Sequence, residues 1–192
     1  MEHTRAEIVS FDSEPLILVD ADDQAIGELD KAACHAGEGV LHRAFSLFVF
    51  NEQNQLLIQQ RAAGKRLWGG YWSNSCCSHP RVGEEIQDAV SRRCREELGF
   101  DVESRFMFKF QYAARFEDRG SERELCSVYL ARFLGEPLIN IEELQDFRWV
   151  DLDAVAPMLD DSELKTTPWF TLEWQRLLDN LPQSIPSAGT RR

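Results

Sequence analysis

The chain has 192 residues, of which 43% are apolar and 28% charged, and 21 basic against 33 acidic residues give it a net charge of -12. This length is sufficient for a single domain with a substantial core. The negative field disfavours non-specific binding to nucleic acid or to an anionic membrane, so neither is an expected partner. An anionic substrate would need a local basic cluster and bound cations.

The cysteine content argues against a disulfide framework. There are five cysteines, an odd number, and the polar N-terminus does not resemble a secretory signal peptide. No run of about 18 apolar residues suggests a membrane span. Together these features predict a reduced, cytoplasmic protein.

Hydrophobic patterning divides the chain into three parts. Residues 1–14 are polar and are expected to form a mobile N-terminal segment. Residues 15–181 are expected to form a single domain. Residues 182–192 contain proline, serine and arginine and are expected to be a disordered tail.

Apolar and aromatic runs predict strands at residues 16–20, 40–50, 55–61, 100–116, 122–133 and 147–150. The polar turn at residues 51–54 predicts a hairpin between the second and third of these strands. Residues 71–79 are expected to be extended as far as Pro80.

The clearest helix signal covers residues 84–98, where one apolar stripe repeats every three or four positions and Gly99 provides a stop. Shorter helices are predicted at residues 152–159 and from Pro168 to about Leu181. These elements predict an α+β fold: a mixed sheet, one central helix after the third or fourth strand, and helices at the C-terminal end.

Residues 72–80 combine a thiol and an imidazole beside the predicted helix. Side chains alternate along an extended segment, so Cys77 and His79 share a face and Cys76 points the other way. Cys94 and Cys126 lie in apolar patterns that are typical of packing residues. Cys77 is therefore the candidate reactive thiol.

Glu122 and Glu124 lie two positions apart on a predicted strand and share one face. Two adjacent carboxylates repel each other unless a cation lies between them. With three histidines they form a plausible N₃O₂ set suited to Mn²⁺, Zn²⁺, Fe²⁺ or Mg²⁺. The histidines are His35, His42 and His79.

Ordinary structural roles are the alternatives for these residues. The two glutamates could lie on a solvated strand face, and His42 could be a half-buried, hydrogen-bonded histidine. A structural zinc site is disfavoured because there is no C-x₂-C pair and adjacent cysteines do not easily bind one ion. Its ligands would be Cys34, His35, Cys76, Cys77 and His79.

Several basic residues near these motifs suggest a diphosphate ligand, although any of them could be a solvated surface residue. They are Lys31, Arg61, Lys65, Arg66 and Arg93. The tryptophans are expected to lie mostly in the core, but one ring could face a cationic intermediate. They include Trp68, Trp72, Trp169 and Trp174.

Three segments carry a family resemblance: Ser-Cys-Cys-Ser-His-Pro at residues 75–80, Arg-Arg-Cys-Arg-Glu-Glu-Leu-Gly at 92–99 and Ser-Glu-Arg-Glu-Leu-Cys at 121–126. Together they resemble the type 1 isopentenyl-diphosphate delta-isomerases of the Nudix superfamily, over roughly residues 16–176. The resemblance implies a Nudix-like α/β/α sandwich with a mixed β-sheet, a central Nudix helix and C-terminal helices. It also implies interconversion of isopentenyl and dimethylallyl diphosphate in isoprenoid biosynthesis, by metal-dependent protonation and deprotonation of the double bond.

The resemblance assigns roles to residues of this chain. It implies that Cys77 and Glu124 are catalytic, with Tyr112 nearby and Trp174 facing the cation. It implies substrate binding by Lys31, Arg61, Lys65 and Arg93. It implies a site for Mn²⁺, Mg²⁺ or Zn²⁺ formed by His35, His42, His79, Glu122 and Glu124. A second, diphosphate-associated Mg²⁺ would be held by Glu97, with the backbone of Cys77 nearby. The implied partner is a small allylic or homoallylic diphosphate, bound by a monomer or homodimer.

The chain departs from the Nudix box G-x₅-E-x₇-R-E-U-x-E-E-x-G-U, in which U is apolar. Ser78 replaces the first glycine, and Arg93 replaces a glutamate of the hydrolases. The helix thereby loses a carboxylate and gains a cation that can pair with phosphate, which favours binding an intact diphosphate.

Two other functions are compatible with parts of the pattern. A Nudix-type nucleoside-diphosphate hydrolase would release phosphate. A non-catalytic, metal-stabilised binding module would unfold on chelation and carry an unreactive Cys77.

Overall fold

The central strand of the sheet is the nine-residue strand His42–Phe50, which is almost entirely buried. The computed structural model describes residues 4–178 and Ile185. In chain order the strands are β1 Thr4–Arg5, β2 Pro15–Val19, β3 Ala25–Asp30, β4 His42–Phe50, β5 Leu56–Arg61, β6 Trp72–Ser73, β7 Cys76–Ser78, β8 Ser104–Phe116, β9 Gly120–Arg132, β10 Ile139–Asn140 and β11 Leu144–Val150. The helices are α1 Lys31–Cys34, α2 Ile86–Leu98, α3 Leu152–Asp160 and α4 Pro168–Leu178.

Strand β4 separates two apolar clusters, because alternate side chains of a strand point to opposite faces. Phe45, Leu47 and Val49 pack with the apolar face of α2. Phe48 and Phe50 pack with residues of α3 and α4 on the other face. Burying each such side chain stabilises the fold by about 1.5–3 kcal/mol. The predicted α/β/α sandwich with a central helix and C-terminal helices is confirmed.

The sheet is mixed, as predicted. Strand β4 runs parallel to β9 along its whole length and antiparallel to β7. Strand β9 also pairs antiparallel with β8 over nearly all of its length. Helix α2 begins at Ile86 and ends before Gly99, whose φ of 80° lies in the left-handed region. A Cβ added to Gly99 would lie 2.7 Å from Leu138 Cβ, so this stop position also allows a close approach.

The predicted hairpin between residues 40–50 and 55–61 forms only at its tip. Strands β4 and β5 share one register pair, Phe50 with Leu56. Beyond it, Ser75 lies between them: its Oγ accepts from Val49 N–H at 2.8 Å and donates to Leu57 C=O at 2.6 Å. Strand β7 therefore pairs with β4 at the position that β5 would occupy in a simple hairpin, and β6 pairs with β5.

The expected position of the central helix after three or four strands is also wrong, since seven strands precede α2. Two of them, β1 and β3, were not predicted, and the segment of residues 71–79 that was expected to be extended forms the two short strands β6 and β7. Within the segment expected to be mobile, β1 pairs in parallel with β10, and Asn140 Nδ2 donates to Glu7 C=O at 2.7 Å.

Both predicted C-terminal helices lie mainly within the described residues, whereas the predicted tail lies almost entirely outside them. Helix α4 begins at Pro168 as predicted and is described as far as Leu178. The expected tail of residues 182–192 lies outside the described part of the chain except for Ile185, which packs against the cluster on α4. Within the described residues, no helix has the length and apolar character needed to cross a bilayer.

Candidate metal and active site

A cavity of about 410 Å³ opens between α1, the loop after β5, the end of α2 and the N-terminal segment. It brings together most of the residues selected from the sequence. Those that line it are Lys31, His35, Arg61, Lys65, Arg66, Cys77, His79, Arg93, Glu97, Tyr112, Glu122, Glu124 and Trp169. His42 lies behind this surface and is fully buried.

Five side chains form one cluster that could hold a metal ion. Their potential ligand atoms all lie within 4.8 Å of one another. The members are His35, His42, His79, Glu122 and Glu124. No cysteine belongs to this cluster, so the zinc-site alternative built on Cys34, Cys76 and Cys77 receives no support from the described residues.

Local structure explains how the five residues meet. His42 begins β4 directly beside Glu124 in the parallel register with β9, and alternation along β9 places Glu122 on the same face. His79 follows β7, whose Ser78 pairs with Phe45 of β4. His35 follows directly after the single turn of α1. The start of β4, the first part of β9 and the ends of β7 and α1 thus meet at one point.

The hydrogen bonds of two histidines prepare them as metal ligands. The Nδ1–H of His35 donates to Lys31 C=O at 2.7 Å, and that of His42 donates to Val40 C=O at 2.7 Å. In each ring this leaves the Nε2 lone pair free to bind a metal. His79 Nε2 lies 3.1 Å from both His42 Nε2 and Glu124 Oε1.

The pair His35–Glu122 supports the fit of a cation. His35 Nε2 and Glu122 Oε2 are buried and lie 2.7 Å apart, and neither atom has any other hydrogen-bond partner. A lone pair on nitrogen facing a carboxylate oxygen is unfavourable in a buried site unless a proton or a metal ion lies between them. The donor set of imidazole nitrogens and carboxylate oxygens suits a divalent ion such as Mn²⁺, Zn²⁺ or Mg²⁺.

The electrostatics of the cluster favour the ligand forms of Glu124 and His79. Burial acts to raise the pKa of Glu124, but its hydrogen bonds with His42 and His79 outweigh burial and hold that pKa well below the usual range. Burial lowers the pKa of His79 to about 4, despite the opposing effect of Glu124. At neutral pH this gives an ionised carboxylate beside a neutral imidazole.

Cys77 lies in the cavity with its thiol held by polar neighbours. Its S–H donates to Asn74 Oδ1 at 2.8 Å, and Ser46 O–H donates to Cys77 Sγ at 3.5 Å. Burial raises the pKa of the thiol, and the nearby Glu173 acts in the same direction. Cys76 points the other way into the core, as the alternation predicted.

The expectation that Trp174 faces the cavity is wrong. Trp174 is 1% exposed and packs with Phe48 and Phe170 in the core. Trp169 lies on α4 five positions earlier, which places it about 140° around the helix axis from Trp174, and it lines the cavity. Its Nε1–H donates to Ser73 Oγ at 3.1 Å, and the Arg61 guanidinium lies 5.5 Å from its ring centroid.

The basic residues meet at one end of the cavity, where acidic side chains balance them. Arg93 donates to Glu97 Oε1 at 2.5 Å and to Glu143 Oε2 at 3.0 Å. Lys65 also donates to Glu143, and Lys31 donates to Ser10 Oγ at 2.6 Å. Both partners of the Glu143 side chain are cations, and no local pattern in the sequence marked this glutamate.

Comparisons with known proteins agree with this arrangement. The NUDIX domain family matches residues 40–170. Isopentenyl-diphosphate Delta-isomerase 1 of Photorhabdus laumondii is 43% identical over 87% of this chain and 96% of its own length. The chain belongs to the isopentenyl-diphosphate Delta-isomerase family.

Another family member, from Burkholderia multivorans, is 45% identical over 82% of this chain and 89% of its own length. Among solved structures, the protein DR0079 from Deinococcus radiodurans superposes with a TM-score of 0.69 at 23% identity, covering 85% of this chain and 98% of that one. That similarity shows the fold alone. The isomerase family and the cluster of histidines and glutamates thus agree with the resemblance seen in the sequence.

Proposed function

We propose that the chain interconverts isopentenyl diphosphate and dimethylallyl diphosphate by adding a proton at one carbon and removing one at another. The observation that carries this proposal is a single cavity that contains a thiol, a hydrogen-bonded carboxylate and a basic end. Cys77 and Glu124 both line it, and so does Arg93. Relatives at 43–45% identity bear the name of this isomerase.

The basic end of the cavity is the binding site for the diphosphate. Arg93 provides a planar guanidinium suited to paired phosphate oxygens, and Lys31 and Lys65 add point charges. Arg61, beside Trp169, completes the set. Glu97 and Glu143 hold Arg93 in place before substrate binds, and Glu97, with the Cys77 backbone nearby, would hold the Mg²⁺ that accompanies the diphosphate.

The cluster of three histidines and two glutamates would hold Mn²⁺, Mg²⁺ or Zn²⁺. Such an ion would supply positive charge that fixes and polarises the Glu124 carboxyl group. Glu124 is also held by Tyr112, whose O–H donates to Oε2 at 2.7 Å. This arrangement gives Glu124 a fixed orientation toward the substrate.

The two proton-transfer groups work from opposite faces of the substrate. Glu124 with Tyr112 transfers a proton on one face, and Cys77 removes or returns a proton on the other. The alkene is a weak base, and its protonation gives a tertiary carbocation that water would capture. The Trp169 ring takes the cation-facing role first assigned to Trp174, because Trp169 is the tryptophan of α4 that lines the cavity.

The test is NMR of isopentenyl diphosphate incubated with the protein and Mg²⁺ in D₂O. Dimethylallyl diphosphate carrying deuterium at the exchanged carbons supports the proposal. Free phosphate or pyrophosphate would indicate the Nudix-type hydrolase. Normal turnover by both Cys77→Ala and Glu124→Gln would overturn the residue assignment.

The wider setting belongs to the same proposal. The product would enter isoprenoid biosynthesis in a reduced cytoplasm, and the catalytic unit would be one domain over residues 15–181, acting as a monomer or homodimer. All five cysteines have free thiols in the structure, which is compatible with that compartment.

A further inference from the structure

A buried carboxyl group lies behind the candidate reactive thiol. Glu173 of α4 is fully buried, and its Oε2 makes no hydrogen bond. Within the described residues no cation forms an ion pair with it. An ionised carboxylate in such a place is highly unfavourable, so burial without a partner requires the neutral acid.

Three contacts connect this carboxyl group with Cys77. Cys126 Sγ lies 3.5 Å from Glu173 Oε1 and 3.5 Å from Ser46 Oγ. Ser46 Oγ in turn lies 3.5 Å from Cys77 Sγ. Ser46 and Cys126 are buried on the neighbouring strands β4 and β9. The four side chains form a continuous polar chain through otherwise apolar packing.

The protonation state of Glu173 decides the direction of these hydrogen bonds. Ser46 has one O–H, and both Cys77 and Glu173 are within its reach. A carboxylate would attract that proton more strongly than a sulfur does. If Glu173 is neutral, the Ser46 proton remains hydrogen-bonded to Cys77 Sγ. The carboxylic O–H of Glu173 is then free to donate to Cys126 Sγ. Cys126 S–H then donates to Ser46, Ser46 to Cys77 and Cys77 to Asn74.

We propose that Glu173 acts as a neutral carboxylic acid at the head of this chain and positions the Cys77 thiol through Cys126 and Ser46. Glu173 is thus a positioning residue, and this role rests on the proposed function, in which Cys77 exchanges a proton with the substrate. Each donor in the chain then has an acceptor, ending at Asn74 Oδ1, 2.8 Å from Cys77 Sγ. The thiol is held in one orientation.

The charges around Glu173 support the neutral form. Burial raises its pKa to about 8. Ser46, Cys126 and Arg176 act in the opposite direction without cancelling it. Arg176 is exposed and lies on the same helix. Cys77 faces Glu173 from β7, and Glu173 in turn raises the pKa of the Cys77 thiol.

The test uses Glu173→Gln, Glu173→Leu and Ser46→Ala in the metal-loaded protein, with Gln175→Leu on the exposed side of α4 as the control. Two quantities are measured for each variant. One is kcat and KM for isomerisation. The other is the rate at which iodoacetamide alkylates Cys77 at pH 7.5, followed by peptide mass spectrometry. Cys77 is the only cysteine that is not buried.

Positioning by a neutral acid predicts a specific pattern. Glu173→Gln keeps an uncharged donor, so kcat and the alkylation rate of Cys77 both remain within about twofold of the parent protein. Ser46→Ala loses the donor to Cys77, and Glu173→Leu loses the donor that orients Cys126 and, through it, Ser46. In both variants kcat and the alkylation rate are each expected to fall about fivefold while KM stays unchanged. If Glu173→Leu does not fold, the other two variants still decide the question.

Three results would overturn the proposal. One is faster alkylation in Glu173→Gln, because removal of a negative charge would then be activating the thiol. Another is a fall in kcat and in the alkylation rate of Glu173→Gln that is as large as the fall in Ser46→Ala. The third is unchanged rates in Ser46→Ala. If the parent protein does not isomerise the substrate but the alkylation pattern holds, the proposed function fails and the hydrogen-bond chain stands.

Discussion

Tyr112 donates its phenolic O–H to Glu124 Oε2 at 2.7 Å, while Oε1 of the same carboxylate lies 3.1 Å from His79 Nε2. The two residues are direct register partners on β8 and β9. One oxygen of Glu124 thus faces the histidine cluster and the other faces a proton donor. The sheet itself fixes this geometry, because neighbouring strands hold opposite residues at constant spacing.

Tyr112→Phe is expected to lower kcat by about 10–100-fold with little change in KM, because a hydrogen bond to a charged group contributes about 1.5–3 kcal/mol. Steady-state kinetics of isomerisation provide the measurement. Tyr129→Phe is the matched control, since Tyr129 is a buried tyrosine of β9 that packs in the core on the α2 side. Equal kcat values for Tyr112→Phe and the parent protein would rule out the assigned role.

Trp169→Leu and Trp174→Leu should separate two roles on one helix. Loss of Trp169 is expected to lower kcat by about 10–30-fold, because a desolvated cation–π contact contributes about 2 kcal/mol. Loss of Trp174 is expected to lower the free energy of unfolding by about 2–5 kcal/mol and to leave kcat almost unchanged. Urea denaturation and kinetics of both variants test this. The reverse pattern would restore the assignment first made for Trp174.

These two tryptophans show where sequence reasoning reached its limit. The proline signal predicted the helix beginning at Pro168, and the family resemblance assigned the cation-facing ring to Trp174. Trp169, five residues earlier on the same helix, fits that description equally well in the sequence alone. Which ring faces the cavity depends on the rotation of α4 against Phe48 and Phe170, and that is decided by packing in the core. The alternation around Cys76 and Cys77 was predictable, because a strand has only two faces.

Ser75 and Glu143 show a second kind of limit. The hairpin prediction used the turn at residues 51–54, and the turn does form. The separation of β4 from β5 depends on one hydroxyl that bonds to both strands, which no local pattern reveals. Glu143 reaches Arg93 across 50 positions of sequence. The metal cluster was easier to predict, because its residue types are scarce and their chemistry is distinctive.

Metal removal should lower the stability of the protein as well as its activity. At a concentration 100-fold above its Kd, a cation that binds only the native state contributes about 2.7 kcal/mol, which corresponds to about 5–10 °C in Tm for a chain of this size. Calorimetry after chelation and after return of Mn²⁺, Mg²⁺ or Zn²⁺ measures the shift. Glu122→Gln should greatly reduce it, whereas Glu38→Gln, at an exposed position, should retain it. An unchanged Tm in the parent protein would mean that the cluster holds no ion.

The buried carboxyl of Glu173 should make stability fall as pH rises. Its pKa is about 8 in the native state against 4.5 for an ordinary glutamate. Between these values the unfolded chain has released the proton and the native state has kept it, so deprotonation favours unfolding. The stabilisation is fully present below pH 4.5 and is lost as pH rises through about 8.

Glu173→Gln has no proton to release at this position, so comparison with the parent protein isolates the effect. The free energy of unfolding of the variant, relative to the parent, is expected to increase by about 3–4 kcal/mol between pH 5 and pH 8. Urea denaturation of both proteins at four pH values, with the metal ion kept saturating, measures this difference. Glu163→Gln, at an exposed position, is the control. Its free energy of unfolding relative to the parent protein should hardly change with pH. If the difference in free energy of unfolding between Glu173→Gln and the parent protein is also constant with pH, Glu173 is already ionised in the native protein. It could not then donate the first hydrogen bond of the chain that leads to Cys77.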